Sequence, residues 1–146
     1  MQLSTKGRYA VMAMADLAGQ SVRPAVSLAE IAERQQLSLA YLEQLFARLR
    51  RRGLVVSVRG PGGGYRLAKP AEQTSVAEVV TAVDEPLRAT RCGGKGPARG
   101  CMKGGARCLT HDLWEETGRQ IFEYLSSVSL ADVLAGRLRP QEAKAA

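Results

Sequence analysis

The chain has one histidine and three cysteines among 146 residues, and all four lie within residues 92–111. No apolar run approaches the ~20 residues that a membrane-spanning helix requires. The run at residues 10–15 follows Lys6 and Arg8, is broken by Asp16 and has no cleavage-like site behind it, so it does not read as a targeting segment. With no second histidine to act as a base, no Ser/His/Asp set can be assembled, and there is no Cys-x-x-Cys pair for dithiol chemistry. The glycines at 60–64 lack the lysine and hydroxyl of a phosphate-cradling loop. These absences argue against an enzyme, a nucleotide-binding protein and a membrane protein. An odd count of three cysteines suits a cytosolic ligand set better than a secreted disulfide framework. The expected location is cytoplasmic.

What the chain does have is concentrated. Cys92, Cys101, Cys108 and His111 are four metal-ligand side chains within twenty residues, with none elsewhere. Six of the seventeen residues 92–108 are glycine. Such a segment has little to bury and does not offset its own ordering entropy, so a metal centre is the natural agent to hold it. The charge is also uneven. Residues 1–70 carry eleven basic and four acidic residues, and residues 71–146 carry ten of each, so the whole net charge of +7 falls on the first half. That half is expected to meet a polyanion.

Ser4 or Thr5 can cap a first helix running to about Gly19, apolar nearly all round and therefore central. Ser27-Leu-Ala-Glu30 is a capping box that opens a short helix to Gln35. Ser38 caps a third helix running to about Arg52, stopped by Gly53. Leu42, Leu45, Phe46 and Leu49 make its core stripe, and the opposite face carries Ala40, Gln44, Ala47 and Arg51 flanked by Glu43 and Arg48. Two helices joined by a tight turn are a helix-turn-helix candidate, with Gln44 suited to an adenine and Arg48 or Arg51 to a guanine or a phosphate. A solvated face of ordinary charges is the plain alternative for this helix alone. The next stretch favours DNA: a strand to Val58, a glycine turn from Arg59 to Gly64, and a return strand through Tyr65-Arg-Leu67 read as the hairpin of a winged helix. Arg59 then sits where a wing inserts a cation into a minor groove, and the glycines allow close backbone approach.

Residues 70–74 read as a linker. Ser75-Val-Ala-Glu78 is a second capping box, opening a helix to about Val83 that Asp84, Glu85 and Pro86 end. After the cysteine segment, a long amphipathic helix runs from Leu109 to about Ser127, with Leu113, Trp114, Thr117, Ile121, Tyr124, Leu125 and Val128 on one side. Its single apolar side suggests packing on a symmetry mate; folding back on its own chain is the alternative. Ser129 caps a last helix to Ala135, closed by Gly136.

Several stretches are similar to a known family. Ser4-Thr-Lys-Gly-Arg-Tyr-Ala-Val11, Tyr41-Leu-Glu-Gln-Leu-Phe46, Val58-Arg-Gly-Pro-Gly-Gly-Gly-Tyr65, Val83-Asp-Glu85 and Cys108-Leu-Thr-His111 resemble the family of the iron-sulfur cluster regulator IscR, over nearly the whole chain to about residue 135. The resemblance implies a homodimeric winged-helix transcription factor that holds a 2Fe-2S cluster and controls iron-sulfur assembly genes. Carried over by motif, the cluster ligands are Cys92, Cys101, Cys108 and His111. The gaps between cysteines are eight and six residues where the family pattern has five and five. That insertion falls in glycine-rich loop, where length is cheap. A sibling family, the nitric-oxide sensor NsrR, uses an acidic N-terminal ligand for a 4Fe-4S cluster; the matching position here is Arg8, which cannot be one.

The residue types suit that job. Iron is bound by thiolates, and residues 88–107 hold six basic residues and no acidic one, a field that favours thiolates and an anionic cluster. Cys108 and His111 are expected to share one face of a first helical turn. A histidine in place of a thiolate makes the centre easier to reduce and leaves one ligand that acid can remove.

The chain is accordingly expected to be mainly α with a small β-hairpin, a winged helix-turn-helix followed by a long dimerisation helix. Residues 1–87 would bind DNA, 88–108 form the cluster loop, 109–136 the dimerisation helix and short terminal helix, and 137–146 a tail. The candidate DNA contacts are Ala40, Tyr41, Glu43, Gln44, Arg48, Arg51, Arg59, Gly60, Gly62 and Gly63, and the partners are a palindromic double-stranded operator, a second copy of the chain and cluster donor proteins. Two alternatives stand beside the 2Fe-2S regulator. One is a winged-helix regulator with zinc or a thiol-redox pair at the same residues, since Cys3His is a common zinc set. The other, disfavoured by the basic half, is an iron-sulfur electron carrier.

Overall fold

The computed structural model describes residues 3–83, 85, 87–90, 92 and 100–138. In chain order these form α1 (Thr5–Gly19), α2 (Leu28–Gln35), α3 (Leu39–Arg51), strands β1 (Val55–Val58) and β2 (Gly64–Leu67), α4 (Val76–Ala82), α5 (His111–Ser127) and α6 (Leu130–Ala135). The protein is mainly α with one antiparallel hairpin, the winged-helix arrangement expected. The parts of the cysteine loop at 91 and 93–99, Asp84 and Pro86 at the end of α4, and the tail beyond 138 lie outside the described residues.

α1 is central because Ala10, Ala13, Met14 and Leu17 bury one side completely or nearly so, and α2, α3, α4, α6 and β2 all pack on it. It is less apolar all round than its composition suggests, since Met12 and Arg8 stay exposed. The capping box of α2 is complete: Ser27 Oγ accepts from the Glu30 amide, and the Glu30 carboxylate accepts from the Ser27 amide. Gln36 then adopts a left-handed conformation (φ 55°), which lets the Leu37 amide reach back to the Ala32 carbonyl and turns the chain into α3. Ser38 caps α3 through the Tyr41 amide. The stripe Leu42, Leu45, Phe46 and Leu49 is fully buried, as its spacing predicts.

The hairpin pairs Val55 with Leu67 through to Val58 with Gly64. A third partner joins it. Val26 bridges Tyr65, with the two amides donating to each other's carbonyls at 2.9 and 2.8 Å. Tyr65 also meets Phe46 edge-on, with ring centres 5.1 Å apart, so the wing is fastened to α3 as well as to the α1–α2 connection. At Gly64 (φ 152°) a Cβ would lie 2.2 Å from the Val26 carbonyl oxygen, which is why glycine stands there.

Two expectations change. The stretch 70–74 is not a plain linker, because Ala71–Gln73 forms a 3-10 turn closed by the Gln73 amide on the Pro70 carbonyl. The long helix begins at His111, not Leu109: Thr110 is non-helical (φ −105°, ψ 9°) and Leu109 is wholly exposed. Cys108 therefore precedes the helix and does not share its first turn with His111.

Capping boxes at Ser75/Glu78 and Ser129/Asp132 start α4 and α6. The Val76 amide donates to the Val128 carbonyl and the Leu130 amide to the Thr74 carbonyl, joining the start of α4 to the α5–α6 junction. α5 touches the rest of the chain chiefly through α4. Leu113, Trp114, Phe122 and Tyr124 along it remain exposed. No helix among the described residues is long and apolar enough to cross a membrane.

Candidate metal centre and nucleic-acid face

The first turn of α5 and the chain on either side of residues 93–99 bring three ligand atoms together. His111, buried at the head of α5, points Nδ1 at Cys101 Sγ (3.1 Å) and at Cys92 Sγ (3.6 Å), and the three ligand atoms lie within 4.8 Å of one another. Cys101 is presented by a tight glycine turn. The Gly100 and Met102 amides donate to the Gly105 and Ala106 carbonyls, and Gly105 takes φ 83°. A Cβ on Gly100 would lie 2.2 Å from the Ala106 carbonyl oxygen, so this turn closes only with glycine.

Cys108 sits differently. It lies outside the compact trio, beside Thr110 Oγ1 at 3.8 Å. The nearby Cys101 thiol, aided by Thr110, lowers the Cys108 pKa against the opposing effect of desolvation. At Cys101 a backbone hydrogen bond with Cys108 favours the thiolate. Desolvation and the thiols of Cys108 and Cys92 together outweigh it and push the pKa up. Two thiols and an imidazole nitrogen in one place, with a third thiol close by in sequence, fit soft metals such as zinc and iron-sulfur centres better than the hard, oxygen-seeking cations. Among the described residues, Thr90 Oγ1, two residues before Cys92, is buried without a hydrogen-bond partner.

Sequence reasoning missed the two carboxylates beside the histidine: Asp112 and Glu115 bring oxygens within 4.8 Å of a His111 nitrogen. Helical spacing places Glu115 four residues on, so the signal was present in the i, i+4 relation. Arg107 pairs with Asp112 at 3.3 Å and offsets part of that charge.

The second candidate surface is built by α3 and the hairpin. Ala40, Glu43, Gln44, Ala47 and Arg51 are exposed on the side of α3 opposite the buried stripe, and Tyr41 is half-buried against Tyr9. Arg51 Nε is held over the Ala47 carbonyl at 3.4 Å. Arg48 is placed otherwise: half-buried, it donates from Nη1 to the Val83 carbonyl at 3.2 Å, so its guanidinium lies against the end of α4. Arg50, absent from the sequence-derived set, is exposed in the same last turn. At the hairpin tip Arg59, Gly60 and Gly62 are exposed and Gly63 is half-buried. The Gly63 amide closes the tip on the Gly60 carbonyl at 2.9 Å, and Gly60 and Gly62 take φ 96° and 72°.

Against this geometry stand the similarities to other proteins. The profile of the Rrf2 family, described as an iron-dependent transcriptional regulator, matches residues 3–136. The HTH-type transcriptional regulator IscR of Serratia proteamaculans is 55% identical over 134 residues, covering 92% of this chain and 79% of that protein. Among solved structures, T. potens IscR superposes with a TM-score of 0.75 at 40% identity, over 100% of this chain and 93% of that one. CymR, the global cysteine regulator of B. subtilis, superposes with a TM-score of 0.78 at 29% identity, over 93% and 98% of the two chains.

Proposed function

The chain belongs to the Rrf2 family of iron-dependent transcriptional regulators, and from that premise we propose that it is a cytoplasmic homodimer that reports iron-sulfur status to DNA through a 2Fe-2S cluster. It is a DNA-binding transcriptional regulator of the IscR type and not an enzyme. The proposed ligands are Cys92, Cys101, Cys108 and His111, the DNA is a palindromic operator, and the regulated genes, repressed or activated, are those of iron-sulfur biogenesis. The observation that carries the sensing role is the convergence of Cys92 Sγ, Cys101 Sγ and His111 Nδ1 within 4.8 Å. Bound there, the cluster supplies an anionic, redox-active group whose presence depends on cluster supply.

The chain's own residues account for the rest. His111 is fixed by α5 while Cys101 and Cys108 ride on a glycine turn, so one ligand is rigid and two belong to a segment with little burial of its own. That division favours release when supply falls. Arg107 and Lys103 beside the site offer positive charge to an anionic group. The α3 face and the wing present Gln44, Arg51 and Arg59 outward, with Glu43 among them as the single carboxylate that would repel phosphate unless it meets a cytosine amine. The exposed apolar side chains of α5, Leu113 at 58% and Trp114 at 41%, favour a second copy over α5 folding back. Residues 1–87 would then read DNA, 88–108 hold the cluster and 109–136 hold the dimer together.

Zinc at the same residues is the second reading, favoured by the sulfur and imidazole donor set. Anaerobic purification with a visible spectrum and iron, sulfide and zinc analysis decides between them. A brown protein with about two iron and two sulfide per chain, colourless in His111→Ala or Cys92→Ala, is the expected result. A colourless protein with stoichiometric zinc overturns the cluster. Sedimentation equilibrium of Leu113→Glu, expected to be monomeric where the parent is dimeric, tests the interface.

A further inference from the structure

The chain between α4 and the cysteine site makes a series of contacts that no spacing in the sequence announces. Val83, the residue that caps α4, gives its carbonyl to Arg48 on α3 at 3.2 Å. Two residues on, Glu85 reaches the other end of the fold. Its carboxylate accepts from the Ser4 amide at 3.2 Å and from the Ser4 hydroxyl. Its side chain lies so close over Gly7 that a Cβ there would come within 3.3 Å of Glu85 Cγ. Further along, Leu87 and Ala89 lie against Gly118 of α5, where a Cβ would come within 3.3 Å of the Leu87 carbonyl and the Ala89 amide. The segment ends at Cys92, beside His111. In ten residues it touches the DNA-facing helix, the start of the central helix, the long helix and the candidate metal centre.

The clasp turns the Ser4 side chain away from ordinary capping. Ser4 stands at the N-cap of α1, yet its side chain makes no capping bond and donates to Glu85 instead. Glu85 therefore holds the N-cap residue of α1 by its amide and hydroxyl, a carboxylate set near the positive end of the helix dipole. α1 in turn packs directly on α3 and β2, the two elements that form the DNA face. In sequence only six residues separate Cys92 from Glu85.

We propose that Glu85 and Ser4 are positioning residues for DNA recognition: their clasp, with the Arg48–Val83 bond beside it, transmits the state of the cysteine site to α1 and α3. This rests on the sensing role proposed above. The clasp sets how firmly the first turn of α1 is held. The occupant of the cysteine site sets where the segment carrying Glu85 lies.

The test uses the full-length protein, iron-loaded and apo, with a fluorescent duplex enriched from a random pool by the iron-loaded wild type. Wild-type affinities in the two states should differ by at least about fivefold. Glu85→Gln and Ser4→Ala should bring that ratio to within about twofold of one, with iron content per chain and circular dichroism unchanged, while Ser4→Thr, which keeps the hydroxyl, retains the wild-type ratio. A wild-type ratio in both Glu85→Gln and Ser4→Ala overturns the proposal. Hydrogen exchange in the apo protein supplies a readout free of the cluster. Amides of the first turn of α1 should exchange faster in Glu85→Ala, and unchanged exchange also overturns the proposal. Failure of the sensing role appears separately, as a wild-type ratio of one, and leaves the clasp nothing to transmit.

Discussion

Gly64→Ala tests how the wing is held. Gly64 has φ 152°, and an added Cβ would stand 2.2 Å from the Val26 oxygen and 2.4 Å from its carbon, so the Val26 backbone must move. That backbone makes the paired bonds to Tyr65, at 2.9 and 2.8 Å, which join the hairpin to the α1–α2 connection. Losing two backbone hydrogen bonds at about 0.5–1.5 kcal/mol each, together with roughly 1–2 kcal/mol for an alanine at positive φ, gives a loss of about 2–5 kcal/mol. For a chain of this size that lowers the unfolding midpoint by roughly 6–15 °C. Gly62→Ala is the control. Its φ is 72° but nothing lies within 4 Å of its Cβ, so only the conformational cost of roughly 1–2 kcal/mol applies. Calorimetry at one protein concentration separates the two, since association also moves the midpoint. If Gly64→Ala loses no more stability than Gly62→Ala, the bridge to Val26 does not hold the wing, and the reasoning fails.

Further outcomes follow from the same geometry. Phe46→Ala removes a fully buried ring that also meets Tyr65 edge-on and should cost about 3–5 kcal/mol in urea denaturation; a loss below about 1 kcal/mol would mean the α3–wing junction collapses without penalty. Glu30 is held at about 2, below its ordinary 4.5, first by the hydrogen bond from Arg23 and then by the Ser27 amide. A depressed carboxylate stabilises the fold above its ordinary value and loses that contribution as the pH falls from about 4.5 toward 2. The unfolding midpoint should therefore drop across this window, and Glu30→Gln should show a shallower drop; equal slopes would deny the capping box a role. If a dimer touches about eight phosphates, log affinity for DNA should fall against log salt with a slope of about −7, read by anisotropy titrations. A slope near about −2 would place the DNA on another surface.

Local chemistry was readable in advance, and the reason is range. Each capping box needs only a serine and an acidic residue three positions apart, and Ser27/Glu30 and Ser75/Glu78 form as their spacing requires. The buried stripe of α3 follows from helical periodicity, and the glycines of the wing tip from turns that demand positive φ. The concentration of cysteine and histidine within residues 92–111 marks the candidate centre from composition alone.

The remaining features depend on residues far apart in the chain, for which no pattern exists to read. Val26 meets Tyr65 because the α1–α2 connection passes the edge of the hairpin. Ser4 meets Glu85 across 81 residues because α4 lies along α1. Arg48 sits in a helix whose polar face suggests DNA, and only the approach of α4 draws its guanidinium to the Val83 carbonyl. Cys108 illustrates the same limit at short range. Three residues before His111 it reads as a helical neighbour, yet Thr110 departs from helical geometry and leaves it beside the trio that Cys92, Cys101 and His111 form. Which donors were available could be read from composition alone. Which of them converge, and what the segment leading to them touches on the way, was decided by the packing of α1, α3, α4 and α5, because long-range contacts follow from where buried faces meet and not from local spacing.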